Sequence, residues 1–171
     1  MGKNKIYSVH WLVVALLLNI AAQHSSADNH ASSDPIGDAQ QANETLDAFH
    51  RAAADADFDV YFALFSEDAV FLGTDASERW PVEEFKAYAK PHFDKGRGWV
   101  YVPAERHIVI NDHIAWFDEL LDSQSYGVSR GSGVLVKVEG HWKIAQYNLH
   151  FPIPNDLVDD ITDKIKQFRM K

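Results

Sequence analysis

The chain is 171 residues long, carries 16 basic against 25 acidic residues for a formal charge of −9, and contains no cysteine. That length holds one ordinary domain and not comfortably two. The missing cysteine excludes disulfides, zinc–thiolate sites and thiol nucleophiles. The acidic balance argues against nucleic acid and anionic lipid as partners, since both are gripped by clustered Lys and Arg.

The N-terminus reads as an export signal. Lys3 and Lys5 are followed by an apolar run from Trp11 to Ile20, broken only by Asn19, and then by Ser25-Ser26-Ala27. A basic start, a short apolar stretch and small residues at a cleavage site make a secretory signal over residues 1–27. The run is well short of the roughly 20 residues that span a bilayer, so no membrane association is expected once the signal is removed. The expected location is periplasmic or secreted. The mature chain would keep 144 residues, with 14 basic against 25 acidic, a formal charge of −11.

Residues 28–35 are small and polar and read as a disordered leader. The domain proper is expected over 36–154. Ile36, Ala39, Ala42, Leu46, Phe49 and Ala53 recur at spacings of three and four, which predicts an amphipathic helix capped by Ser33 or Asp34. Phe58, Tyr61, Phe62, Leu64 and Phe65 predict a short buried aromatic helix. Ala69 to Leu72 is a brief strand closed by Gly73. Trp80-Pro81 opens a third helix, with proline in its first turn, Glu83 and Glu84 at its positive end, and Val82, Phe85, Ala89 and Phe93 on its buried side.

The remainder is rich in β-branched and aromatic residues. Strands are expected over Trp99–Ile110, His113–Leu121, Tyr126–Val138 and Trp142–Phe151, joined by short turns. They form a four-stranded antiparallel meander, with Pro103 at an edge or a bend. A last helix is expected over 155–171, with Leu157, Ile161, Ile165 and Phe168 on one side. No internal repeat or second core is visible, so the reading is one α+β domain.

Alternation along the strands places a pocket. Val134, Val136 and Val138 share one face of the third strand of the meander, and Trp142 and Ile144 share one face of the fourth. Burying both sets together requires Val138 opposite Trp142 across a three-residue loop with Gly140 left-handed. That register carries Ser132 beside Asn148, Val134 beside Gln146 and Arg130 beside His150, all facing inward, while Lys137 and Lys143 point away. In the first hairpin Arg106, Ile108, Ala115, Phe117, Glu119 and Leu121 share one face. His107, Val109, Ile114, Trp116, Asp118 and Leu120 share the other. Both faces are mostly apolar, so one lines the pocket and the other meets a second copy of the chain. The Arg106, Phe117 and Glu119 face is the favoured pocket wall.

This order of helices, short strand, helix and antiparallel meander resembles the nuclear transport factor two-like superfamily, which includes SnoaL-like cyclases and ketosteroid isomerases. The strings from Phe71 to Trp80, Ala115 to Glu119, Arg130 to Leu135 and Trp142 to Tyr147 add to the likeness, which covers roughly Gln40 to Pro154. The resemblance implies a cone-shaped α+β barrel with N-terminal helices on a curved antiparallel sheet, a deep ligand pocket and a homodimer. The last helix lies beyond that pattern. Activity does not follow, because one such fold hosts isomerases, cyclases, dehydratases and binding modules.

Acid–base enzymes of this kind pair a carboxylate base with a hydrogen-bond donor for the developing oxyanion. Here the base would be Glu119 or Asp118, with Tyr61, Tyr147 or His150 donating. Trp80, placed where the short strand gives way to the third helix, is expected at the pocket mouth. Arg106, Phe117, Arg130, Ser132, Gln146 and Asn148 would complete the ligand contacts. The alternative is that the carboxylate is held in a structural ion pair with Arg106 or Arg130, which lowers its pKa and weakens it as a base. An arginine-lined pocket would then suit a carboxylate-bearing ligand. Seven histidines remain after residue 27 and none falls in an HxH or HExxH spacing, so no metal and no cofactor is expected. Two functions stay open: a small-molecule binder with isomerase, lyase or cyclase chemistry, and a non-enzymatic dimeric binding or assembly module. A pocket carboxylate with a raised pKa would favour the first; carboxylates all paired with arginine would favour the second.

Overall fold

The computed structural model describes residues 35–170. The expected signal peptide, the leader up to Asp34 and the helix cap at Ser33 or Asp34 lie outside the described residues. In chain order the elements are α1 (Pro35–Ala54), α2 (Phe58–Ala63), β1 (Phe65–Leu72), β2 (Arg79–Pro81), α3 (Val82–Phe93), β3 (Val102–Asn111), β4 (Ile114–Ser123), β5 (Gly127–Val138), β6 (His141–His150) and, after a 3₁₀ turn at Asn155–Leu157, α4 (Val158–Arg169). The strands form one six-stranded sheet in the order β2-β1-β6-β5-β4-β3. The expected meander is its larger part. β1 adds to it parallel to β6, and β2 pairs antiparallel with β1.

Three local expectations change. Phe65 begins β1 instead of ending the aromatic helix, and its strand runs eight residues, with an irregularity before Val70. Trp80 and Pro81 are extended and paired with Phe71 and Val70, so α3 starts one residue after the proline. Proline at that boundary sets the extended φ that a short edge strand also accepts. Pro103 sits at a register shift in β3, the outermost strand of the meander, where a missing N–H costs least.

α1, α2 and α3 pack on one face of the sheet, and the core lies between them and it. The α1 stripe is buried through Ala42, Leu46, Phe49 and Ala53, while Ile36 is exposed and Asp38 is buried in its place. Asp57 caps α2 by accepting the Val60 N–H at 3.1 Å, which turns Tyr61 and Phe62 into the core. From β4 the inward residues are Ala115, Phe117, Glu119, Leu121 and Ser123. From β3 they include Arg106, Ile108 and Ile110, paired with Glu119, Phe117 and Ala115. The favoured wall of the first hairpin is therefore the inner one.

The second hairpin corrects the expected register. Its turn has two residues, Glu139 and Gly140, both with positive φ (51° and 82°), and Val138 pairs with His141. Primed two-residue turns match the twist of the strands they join, which favours them over the longer loop. Trp142 therefore pairs with Lys137 and Ile144 with Leu135. A bulge next to Ala145 then restores the pairings of Val134 with Gln146, Ser132 with Asn148 and Arg130 with His150. The bulge also reverses parity along β6, so Trp142 and Ile144 before it and Tyr147 and Leu149 after it all face the core. On β5 the inward set is Ser129, Gly131, Gly133 and Leu135. Val134, Val136 and Val138 lie on the outer face. Lys137, expected to point away, reaches the buried Asp38 of α1 and lies over the Trp142 ring.

α4 forms where expected, but none of its residues is buried, and Leu157, Ile165 and Phe168 of its apolar stripe are exposed. No helix among the described residues is long and apolar enough to cross a membrane.

Candidate functional site

Glu119 is fully buried at the centre of the inner face, where a carboxylate survives only if charge and hydrogen bonds replace water. Three side chains do this. Arg106 Nε donates to Oε2 at 2.7 Å, His50 Nε2 lies 2.7 Å from Oε1, and the Tyr147 hydroxyl donates to the same Oε1 at 2.8 Å. Arg106 comes from the directly paired position on β3, Tyr147 from β6 and His50 from α1. Arg106 Nη1 also donates to Asp47 Oδ1 at 2.8 Å and to the Asn43 carbonyl and side-chain oxygens at 3.3 Å.

Two sequence features allow this cluster. Asn43, Asp47 and His50 follow one another by four and three, so they form a polar stripe beside the apolar stripe of α1. Gly131 is opposite Glu119 on β5. A Cβ there would lie 2.2 Å from the Tyr147 hydroxyl and 2.9 Å from Glu119 Oε1. Glycine is thus required for the tyrosine and the carboxylate to meet.

Burial raises the pKa of Glu119, but the hydrogen bond and charge of His50 and those of Arg106 outweigh it, and the net shift is downward. Tyr147 is pushed well up by burial and by the Glu119 charge, so it remains a donor. Glu119 is an anchored anion and a poor proton acceptor. Because an ionised carboxylate only accepts, His50 Nε2 carries the proton of this contact.

His50 and Tyr147 separate this cluster from a cavity of about 210 Å³. The cavity lies between α1, α2, α3 and the sheet, with Gly73, Thr74 and Glu78 on one side and Tyr126 and Phe151 on another. Eleven of its seventeen lining residues are Phe, Tyr or Trp, which makes it a site for a flat or apolar body. Tyr61 lines it, and burial together with the Tyr101 charge pushes its pKa well up. Among the described residues neither lysine nor arginine lines it. Among the described residues no group of acids and histidines could hold a metal ion.

The structure divides the residues nominated from sequence. Tyr61 and Trp80 line the cavity. Glu119 and Arg106 lie behind its wall, locked together, and Phe117 packs in the core beside Tyr147. Asp118, Arg130, Ser132, Gln146, Asn148 and His150 are on the outer face of the sheet. Asp118 is there by the alternation of β4 that carries Glu119 inward; the two-residue turn and the bulge on β6 put the other five there. Burial and the neighbouring Arg130 charge lower the pKa of His150. With Arg130 outside and Arg106 spent on Glu119 and Asp47, the arginine-lined pocket for a carboxylate is not formed. His50 was missed. Its signal was the 43-47-50 stripe, legible only once an arginine partner on the sheet was known.

A family model described as SnoaL-like domain matches residues 42–154. No curated protein matches the chain. Among solved structures, an NTF2-like protein of unknown function from Pseudomonas putida KT2440 superposes with a TM-score of 0.60 at 14% identity, covering 71% of this chain and 91% of the other. A candidate dehydratase of the NTF2-like family from Streptomyces avermitilis gives 0.61 at 12%, covering 70% and 99%. A candidate ketosteroid isomerase from Shewanella frigidimarina gives 0.54 at 18%, covering 64% and 94%. At these identities the likeness is one of fold.

The depressed Glu119 ionisation links stability to pH. The folded carboxyl ionises below its ordinary value of 4.5, so the unfolded chain binds more protons as the medium is acidified. The stabilisation is complete above the unfolded value and is lost as pH falls through the folded one. Glu119→Gln leaves Arg106 with the half-exposed Asp47 as its remaining carboxylate partner and should cost about 1–3 kcal/mol at pH 7. It should also flatten the acid limb of a denaturation series, read as urea midpoints between neutral pH and pH 3.

Proposed function

The chain belongs to the SnoaL-like domain family, and on that premise we propose that it binds a small organic molecule in the aromatic cavity, with His50 as general acid–base in isomerase, lyase or cyclase-type chemistry. The observation that carries this reading is the His50–Glu119 contact at 2.7 Å, made at the cavity wall and shared with the Tyr147 hydroxyl. A histidine whose tautomer is set by a buried carboxylate, and whose other nitrogen has no hydrogen-bond partner among the described residues, is arranged to take a proton from carbon and return it. The Tyr61 hydroxyl at the same wall supplies a donor for an oxyanion. By the criterion set from sequence, the lowered pKa of Glu119 and its pairing with Arg106 count against a carboxylate base and toward the binding module; the acid–base role proposed here passes to His50, which Glu119 orients.

The test is deuterium incorporation from D₂O into a panel of ketones and aldehydes, with and without charged groups, followed by proton NMR. The wild-type protein should accelerate exchange for part of the panel. His50→Gln should reduce that rate by about a hundredfold or more. Exchange that never exceeds buffer, or that survives the substitution, removes the acid–base reading and leaves a binding module.

The outer sheet face supports a homodimer. Val109, Ile114, Trp116 and Val128 are each about half exposed there, a patch that invites an isologous partner. The native protein should elute with the mass of two chains in light scattering, and Trp116→Glu should yield monomer with unchanged thermal stability at low concentration. We also assign residues 1–27 to an exported precursor. Expression in a bacterial host should give a periplasmic product whose N-terminal sequence begins at Asp28; an intact Met1 terminus would refute it.

A further inference from the structure

Among the described residues the cavity lining has no lysine or arginine, and Glu78 is its one carboxylate. The rest of the molecule reinforces that sign, with a formal charge of −9 over the chain. Glu78 is held in place by its own loop. The Gly73 N–H donates to the Glu78 carbonyl at 2.8 Å, and the Asp75 N–H donates to Oε2 at 3.1 Å. A Cβ on residue 73 would lie 2.3 Å from that same oxygen. Glycine there leaves room for the carboxylate against the backbone of the loop, at the edge of the cavity.

Two residues further on, Trp80 begins a set of near-parallel rings. Trp80 and Tyr88 stack with centroids 4.7 Å apart at 21°, and Trp80 and Phe85 at 5.6 Å and 8°. Trp99 continues the set against Phe85 at 5.9 Å and 21°, and Tyr101 and Tyr126 complete this part of the wall. Indole and phenol faces carry the negative side of the ring quadrupole. An electron-rich wall with a fixed carboxylate beside it repels an anion and attracts a cation whose bulk is apolar.

We infer that the ligand of this cavity is a small organic cation, a quaternary ammonium or protonated amine on an apolar body, seated on the Trp80, Tyr88 and Trp99 side with Glu78 as its counter-charge. The inference rests on the ligand-binding reading of the cavity and names the chemistry of what enters it. The positive group sits at the Glu78 side, and the apolar remainder extends toward Tyr61 and His50. The carboxylate-bearing ligand expected from sequence would meet repulsion here, with no arginine to receive it.

The test is titration of the full chain with choline and with 3,3-dimethylbutan-1-ol, its neutral carbon isostere, followed by tryptophan fluorescence and by amide shifts in NMR. Choline should bind at least about tenfold more tightly than the isostere. Glu78→Gln should abolish most of that preference for choline and leave the isostere unchanged. Equal affinities, or a choline preference that Glu78→Gln does not alter, would overturn the inference. Equal binding of both with shifts confined to cavity residues would still leave the ligand-binding reading intact. Binding of neither would overturn the cation, and proton exchange on the ketone panel would then judge the acid–base reading separately.

Discussion

A single buried carboxylate ties this molecule together. Glu119 is fully buried on the inner face of the sheet, and its charge is tolerable only because α1, β3 and β6 each deliver a donor to it. Those contacts are long-range in sequence: His50 is 69 residues away and Tyr147 is 28 away. Each donor therefore fixes how one element sits on the sheet. Removing a buried charge pair is often neutral, but removing one member is not, so the cluster constrains the helix position as strictly as the packing of Leu46 and Phe49 does. Gly131 belongs to the same constraint through the side chain it lacks.

The cluster also separates two properties that a sequence reading tends to merge. A carboxylate in a pocket looks like a base, yet the donors around this one lower its pKa. Glu119 instead orients an imidazole, and that imidazole is at the wall of the cavity. Structural and chemical roles are thus stacked in layers: arginine and carboxylate behind, histidine and tyrosine at the wall, aromatic rings around the space. Among the described residues neither lysine nor arginine reaches the cavity, and Arg106 is held behind its wall by Glu119 and Asp47.

One extra residue in β6 explains most of the difference between expectation and structure. Alternation assigns a face to every side chain only while the period of two is unbroken. From the tip of the second hairpin, Trp142 and Ile144 pointed the count one way; from the other end, Tyr147 and Leu149 pointed it the other. Both sets are buried, and the bulge beside Ala145 reconciles them. Without it the count carried Arg130, Ser132, Asn148 and His150 inward on paper, whereas they lie on the outer face. The conflict between the two apolar sets was present in the sequence. Its resolution depended on where the backbone could bulge at least cost.

What the amino-acid order settled was local and periodic: the apolar stripes of α1 and α3, the four strands of the meander, the grouping of Arg106, Phe117 and Glu119, and the late helix. These follow from spacings of three to four and of two, which need no knowledge of partners. Only the folded chain decided the rest. The parallel pairing of β1 with β6, the face taken by β5 and the meeting of His50 with Glu119 all join segments far apart in the chain. Such contacts are chosen by the combined burial and charge balance of several elements at once, a sum that no single stretch of residues contains.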